Sequence, residues 1–315
     1  MSDLPGATPT EHAEAPLVTA VVPTKDRPEL MKRAVQRIVD QDYVGPIEIL
    51  VVFDGAEPTE IDVELPANRT IRTLTNERKP GLAGNRNTGI THAQGEYLGH
   101  CDDDDEWLPS KVTNQVAILQ SRPDASMLTS GMLVCYQGID TPRPGSGTDL
   151  HLEDFLLSRR AEVHSSTFFF ERSMLDRIGF VDEDLPGGYA EDYEFLLRAS
   201  RVGPVICQAE PQARIHFHDG SFFASKWPMI DEALQHLLDQ YPEFDTVPAG
   251  KARIEGQLAL ANAAMGQKRT AVRYASRSLR RKPTAMHSYA ALAVASGLVS
   301  PEKVADMAKR RGKGL

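Results

Sequence analysis

Cysteine is scarce in this chain. Its 315 residues hold three, Cys101, Cys135 and Cys207, odd in number and far apart. No CxxC pair and no Cys/His zinc spacing occurs, which excludes a disulfide framework and a structural zinc site; three reduced, packed thiols are expected instead. Long apolar runs are missing too. No stretch approaches the roughly 18 apolar residues that cross a bilayer. Met1 to Pro16 has neither a basic start nor an apolar centre, so no signal peptide is expected and a cytoplasmic location is. Basic charge is in deficit, with 35 Lys+Arg against 44 Asp+Glu and a net charge of −9. A nucleic-acid coat needs a basic surface, so no nucleic-acid partner is expected.

What is present is an ordinary globular mix, 41% hydrophobic and 25% charged, in a chain long enough to bury a sizeable core. Residues 1–15, rich in Pro, Thr, Ala and Glu, read as a disordered tail. From residue 16 a βαβ rhythm begins. Leu17 to Val22 is a β-branched strand, residues 28–41 carry apolar positions at helical spacing behind Pro28, and Ile47 to Phe53 is a second strand. Strands follow at Thr70–Leu74, Tyr97–Cys101, Met127–Tyr136 and Thr167–Phe170. Two more are expected at Val205–Cys207 and Ala213–Phe217. Helices are expected at Gly84–Gln94, from Pro109 to Gln120, at Ser173–Ile178 and at Ala190–Ser200. Pro142, Pro144, Gly145 and Gly147 predict a loop over 138–148.

The composition changes after about residue 228. Alanine dominates, strand signals stop, and helical periods fall at 230–240, 250–265, 268–280, 284–296 and 301–310. Gly266, Ala271, Ala275, Ser278 and Pro283 suggest one tetratricopeptide-like hairpin; a helical cap on the sheet is the alternative. The expected organisation is an α/β domain over 16–228 and a helical C-terminal region over 229–315.

Five segments carry chemistry. His100-Cys101-Asp102-Asp103-Asp104-Asp105-Glu106 places a run of carboxylates directly after a buried strand. Ligands of α/β sheets bind beyond the carboxyl ends of strands, and clustered carboxylates suit a hard divalent cation with a phosphate. Asp54-Gly55 closes the second strand, where a ribose or base edge could be held. Gly81 to Gly89 sets glycines before a helix and Arg86 in its first turn, an arrangement suited to a diphosphate. Gly187-Gly188-Tyr189-Ala190-Glu191-Asp192 starts a helix with two carboxylates, either dipole partners or a general base. His216 and His218 lie on one strand face.

Taken together, these segments resemble the family 2 glycosyltransferases of the GT-A fold over roughly residues 17–222. The matching pieces are Val22-Pro23-Thr24-Lys25-Asp26-Arg27-Pro28, Phe53-Asp54-Gly55, Gly84-Asn85-Arg86-Asn87, Asp102–Asp105 followed by Trp107-Leu108-Pro109, Glu191-Asp192, and His218-Asp219-Gly220-Ser221. The resemblance implies a Rossmann-like mixed sheet flanked by helices. It places Pro23, Thr24 and Arg27 in a base-binding loop, Asp54 on the base, and Arg86 near the base or diphosphate. Asp102 and Asp103 would touch ribose and donor sugar. Asp104 would ligate Mn2+ or Mg2+, with His218 as a further ligand, and Asp192 would be the catalytic base, its pKa raised beside Glu191. Lys25 and Asp26 depart from the aromatic–Asn pair frequent in the family, which leaves the base open.

The implied activity is metal-dependent, inverting transfer of a sugar from a nucleoside-diphosphate donor to a hydroxyl acceptor: a glycan, a lipid-linked acceptor or a small natural product. A homo-oligomer and contact of the basic tail with the inner membrane face belong to the same set of expectations. The alternative is a non-catalytic scaffold on a transferase fold, with a helical recruitment tail.

Overall fold

The computed structural model describes residues 15–217 and 226–310. Strands are β1 (Val18–Thr24), β2 (Ile47–Phe53), β3 (Arg69–Thr75), β4 (Tyr97–His100), β5 (Glu106–Trp107), β6 (Met127–Tyr136), β7 (Ile139–Arg143), β8 (Thr148–Leu150), β9 (Phe169–Glu171) and β10 (Val205–Phe217). Helices are α1 (Pro28–Val39), α2 (Leu82–His92), α3 (Lys111–Ser121), α4 (Leu152–Leu157), α5 (Leu175–Ile178), α6 (Glu191–Val202), α7 (Trp227–Gln240), α8 (Pro248–Ala264), α9 (Lys268–Arg281), α10 (Met286–Ala295) and α11 (Pro301–Arg310).

One mixed sheet runs β3-β2-β1-β4-β9-β6-β10-β5, with β7 beside β6 and β8 beside β10. β3, β2, β1 and β4 are parallel. β9 runs antiparallel between β4 and β6. Alternation sends successive side chains to opposite faces. Ile49 and Val51 of β2, Tyr97 of β4 and Phe169 of β9 pack with α1 and α3. Leu50, Leu98, Phe168 and Phe170 pack on the other face with α2, α4, α6, α7 and α8. Ile230, Leu234, Leu237, Ile254 and Leu258 therefore share a core with the sheet. Close approach of α2 to β1 requires glycine: a Cβ on Gly89 would lie 2.4 Å from Val21 Cγ1.

α8 is buried on two sides. Ala259, Leu260 and Ala263 pack against Ala271 and Ala275 of α9 and Ala291 of α10. Small residues let these helices approach closely, and Ser278 Oγ donates to Ala252 O at 2.6 Å.

Two expectations need correction, and two short elements went unforeseen. Residues 138–148 are not a plain loop, because β7 folds back on β6 through Gln137 and Gly138, both at positive φ (50° and 79°). That two-residue turn matches the twist of a hairpin, and Pro142 is tolerated on its edge strand. Val205–Cys207 and Ala213–Phe217 are one strand whose pairing with β6 shifts around Pro211. β5 and α4, of two and six residues, are too short for periodicity to reveal.

Candidate active site

The site forms where β1, β2 and β4 end. Pro23, near the end of β1, pairs in register with Val52. Thr24 Oγ1 donates to Asp103 Oδ2 at 2.8 Å. Arg27, just before α1, donates to Asp103 Oδ1 at 3.3 Å and Asp104 Oδ2 at 2.9 Å. Burial raises the Asp103 carboxyl to about 6, although Thr24 and Arg27 pull it down. Asp54 accepts from Asn76 Nδ2 at 3.0 Å, Gly81 N at 3.2 Å and Lys25 Nζ at 3.3 Å. Burial alone would raise Asp54, but these three donors outweigh it and keep the carboxylate ionised. Gly81 takes φ 119° at the start of α2, which suits only glycine and aims its N–H at Asp54.

Arg86 is the buried centre of the cleft. Its Nη2 donates to Asp102 Oδ1 at 2.6 Å and its Nη1 to Glu191 Oε1 at 2.8 Å. The side chain is 2% exposed, so it is fixed by two carboxylates rather than presented to solvent. Burial would raise Asp102, but Arg86 outweighs it and lowers the carboxyl to about 2.

The acid run is divided among different partners. Asp103 and Asp104 face Arg27. Asp102 and Asp105 turn toward residues 164–166. Ser165 Oγ donates to Asp102 Oδ2 at 2.9 Å and Ser166 Oγ to Asp105 Oδ2 at 2.5 Å. The backbone N–H of Asp102 donates to Ser166 Oγ at 3.0 Å, and that of His216 to Asp105 Oδ1 at 3.1 Å. Burial holds the Asp105 carboxyl well above its ordinary value. Among the described residues, Asp102, Asp105 and His164 bring one ligand atom each within 4.8 Å of one another. The expected ligand Asp104 is not in this group, because its carboxylate is turned to Arg27, and His218 lies outside the described residues. His216 does not point at the cluster: its Nε2 lies 2.8 Å from Glu106 Oε1.

His164, Ser165 and Ser166 escaped the sequence reading. Their only signal is a polar His-Ser-Ser-Thr stretch ahead of three phenylalanines. The turn they form is held from behind by buried groups. Lys111 Nζ donates to Thr167 O at 3.1 Å, Trp107 Nε1 to Ser166 O at 3.0 Å, and the Thr129 and Thr167 hydroxyls meet at 2.6 Å. Lys111 is fully buried, and desolvation lowers its ammonium to about 7.

Across the cleft, Glu191 and Asp192 begin α6. Ala190 precedes them at φ 68°, a left-handed conformation that costs a non-glycine residue roughly 1 kcal/mol. Asp192 Oδ1 accepts from Arg159 Nη2 at 2.8 Å and from Tyr193 N at 2.8 Å. Burial would raise the Asp192 carboxyl, but Arg159, then His164 and the Tyr193 N–H, hold it below the ordinary range. The raised value expected for Asp192 is thus reversed. It belongs to its neighbour: burial and the Asp192 charge raise Glu191, although Arg86 opposes them.

The family model described as Glycosyl transferase family 2 matches residues 19–179, just over half of the chain. This chain belongs to that family. Its match contains the base-loop residues, Asp54, Arg86, the acid run and residues 164–166, and stops before Glu191. Among relatives, the chain is 32% identical over 196 residues to a putative colanic acid biosynthesis glycosyl transferase of Escherichia coli, covering 58% of this chain and 66% of that protein. It is 26% identical over 180 residues to a Campylobacter jejuni glucosyltransferase named for a diphospho-undecaprenol acceptor, covering 53% and 56%. The chain thus spans under two thirds of these relatives' length. Among solved structures, Staphylococcus aureus TarS with UDP-GlcNAc superposes with a TM-score of 0.57 at 15% identity, covering 94% of this chain and 92% of that one. The mannosyltransferase of Pyrobaculum calidifontis with GDP-Man and Mn2+ gives 0.55 at 17%, covering 89% and 86%. The family 2 chain therefore has the GT-A fold, with the helical C-terminal region included in the superposed length.

Proposed function

We propose that this family 2 chain transfers a sugar from a nucleoside-diphosphate donor to a hydroxyl acceptor, with inversion at the anomeric carbon. The observation that carries the reading is the convergence of Asp102, Asp105 and His164 beside Asp192, which His164 also influences. Two carboxylates and an imidazole suit Mn2+ or Mg2+, and a buried Asp105 that meets no Lys or Arg among the described residues fits a site completed by a cation. Asp102, Asp105 and His164 would hold that cation, which supplies charge neutralisation for a leaving diphosphate. In this set Asp105 and His164 stand where Asp104 was expected, while His218 lies outside the described residues.

The chain's own residues do the rest. Asp54, at the carboxyl end of β2, would hold a base or ribose edge. Thr24 fixes Asp103, and Arg27 fixes Asp103 and Asp104. Arg86 fixes Asp102. Asp192 accepts the proton of the acceptor hydroxyl; the freed oxygen attacks the anomeric carbon, and the bond to the diphosphate breaks with its electron pair on the leaving oxygen. A carboxylate paired with Arg159 is a weak base, so removal of that proton requires the acceptor to loosen the pair.

A thermal-shift series with nucleotide sugars, with and without Mn2+, tests the proposal. A ligand at 100 times its dissociation constant adds about 2.7 kcal/mol of stability. Metal-dependent stabilisation by one donor, with slow release of its sugar to water, is the expected result. A chain that no nucleotide sugar stabilises under either condition would refute it.

A further inference from the structure

The site uses none of α9. Its buried stripe is Ala271, Ala275 and Ser278. At 100° per residue, Arg269, Arg273 and Arg280 fall directly opposite that stripe. All three are exposed, and they span about 16 Å of helix. Arg277 and Arg281, nearer the protein, are neutralised by Glu255 at 3.1 and 2.8 Å. Among the described residues, Arg269, Arg273 and Arg280 meet no carboxylate; Arg280 Nε only caps Ser276 O, and Arg273 lies over the Tyr274 ring. From Gly256 to Ser300 the sequence holds seven Lys and Arg and no Asp or Glu, in a chain whose net charge is −9. Apolar side chains are exposed on α9 (Val272, 45%), on α10 (Met286, 67%, and Tyr289, 49%) and just beyond α10 (Leu298, 81%).

We propose that α9 docks this protein on an anionic bilayer surface through Arg269, Arg273 and Arg280. A helix whose outward face is cationic, with exposed apolar groups on it, on the next helix and just after that, has the chemistry of a headgroup layer and its acyl boundary. No helix of the described residues is long and apolar enough to cross a membrane, so contact would be peripheral. An acidic protein would supply charge but leaves the exposed Met286 and Leu298 without a reason. The inference extends the proposed function by locating the enzyme where a lipid-linked acceptor lies, yet it stands on α9 and the exposed side chains that follow it, with no residue of the site.

The test uses the full chain and vesicles of phosphatidylcholine, with or without phosphatidylglycerol. Cosedimentation should require phosphatidylglycerol and should be lost near 1 M salt, where charges are screened beyond about 3 Å. The combined variant Arg269→Gln, Arg273→Gln, Arg280→Gln should bind about 100-fold more weakly, since each cation near such a surface contributes about a factor of five. The corresponding Lys variant should bind like the parent. Metal-dependent donor hydrolysis, read on the same preparations, should be unchanged, so loss of vesicle binding and failure of the transferase reading remain distinguishable. Equal binding to neutral vesicles, parental binding by the Gln variant, or displacement by polyglutamate at matched charge would overturn the proposal, the last in favour of an acidic protein partner.

Discussion

Arg159 Nη2 lies 2.8 Å from Asp192 Oδ1, so the carboxylate assigned to proton removal is already ion-paired. The arginine side chain is 43% exposed, within reach of an incoming acceptor. Because Arg159 helps hold Asp192 below its ordinary value, and only the ionised form can act as base, activity should fall as pH drops through that lowered pKa. In Arg159→Gln the acid limb of the turnover–pH profile should move to higher pH. An unmoved limb would show that the pair does not govern the base.

Asp192 and Glu191 should separate kinetically. Asp192→Asn should keep donor affinity and lose roughly 10²- to 10⁴-fold in turnover, the usual effect of a missing general base. Glu191→Gln should act chiefly on donor affinity, because Glu191 shares Arg86 with Asp102. Donor binding and turnover measured on both variants decide the matter; parental turnover in Asp192→Asn removes the base from this mechanism.

The acid run should behave unevenly. Asp105→Asn and His164→Gln should lose Mn2+-dependent donor binding, while Asp104→Asn, whose carboxylate faces Arg27, should retain it in larger part. Titration calorimetry with Mn2+ and donor reads the difference. The reverse order would return the ligand role to Asp104.

Lys111 should mark the stability curve. Its folded value of about 7 lies below the 10.5 of an exposed lysine. Between those values the unfolded chain binds one more proton than the folded chain, so stability rises with pH, by up to about 1.4 kcal/mol per unit. Urea midpoints between pH 7 and 9 should show that rise in the parent and a flatter line in Lys111→Met. Equal slopes would mean that the ammonium is not desolvated as its burial implies.

The fold was legible where periodicity is long. Ile47–Phe53 and Met127–Tyr136 fall at the expected residues, and all five C-terminal helices lie within a few residues of theirs, because sustained apolar spacing reports burial directly. Of the site, Asp102, Asp54 and Arg86 were legible as polar residues just past apolar strands or at a helix start. The division of the acid run was not. Which carboxylate turns toward His164 depends on a turn 60 residues away, set by Lys111, Trp107 and Thr129, and a single sequence holds no signal for such tertiary contacts. The direction of the Asp192 shift was missed for the same reason: Arg159 sits on a different segment.

Arg86 joins the two halves of the cleft through a single guanidinium. Its two terminal nitrogens are divided between a carboxylate of the acid run and one at the start of α6, and its Nε meets no partner among the described residues. The cation cannot strengthen one contact without weakening the other's claim on it. Neutralising Asp102 would leave Arg86 to Glu191 alone, so arrival of positive charge on one wall would be felt electrostatically on the opposite wall with no movement of the backbone.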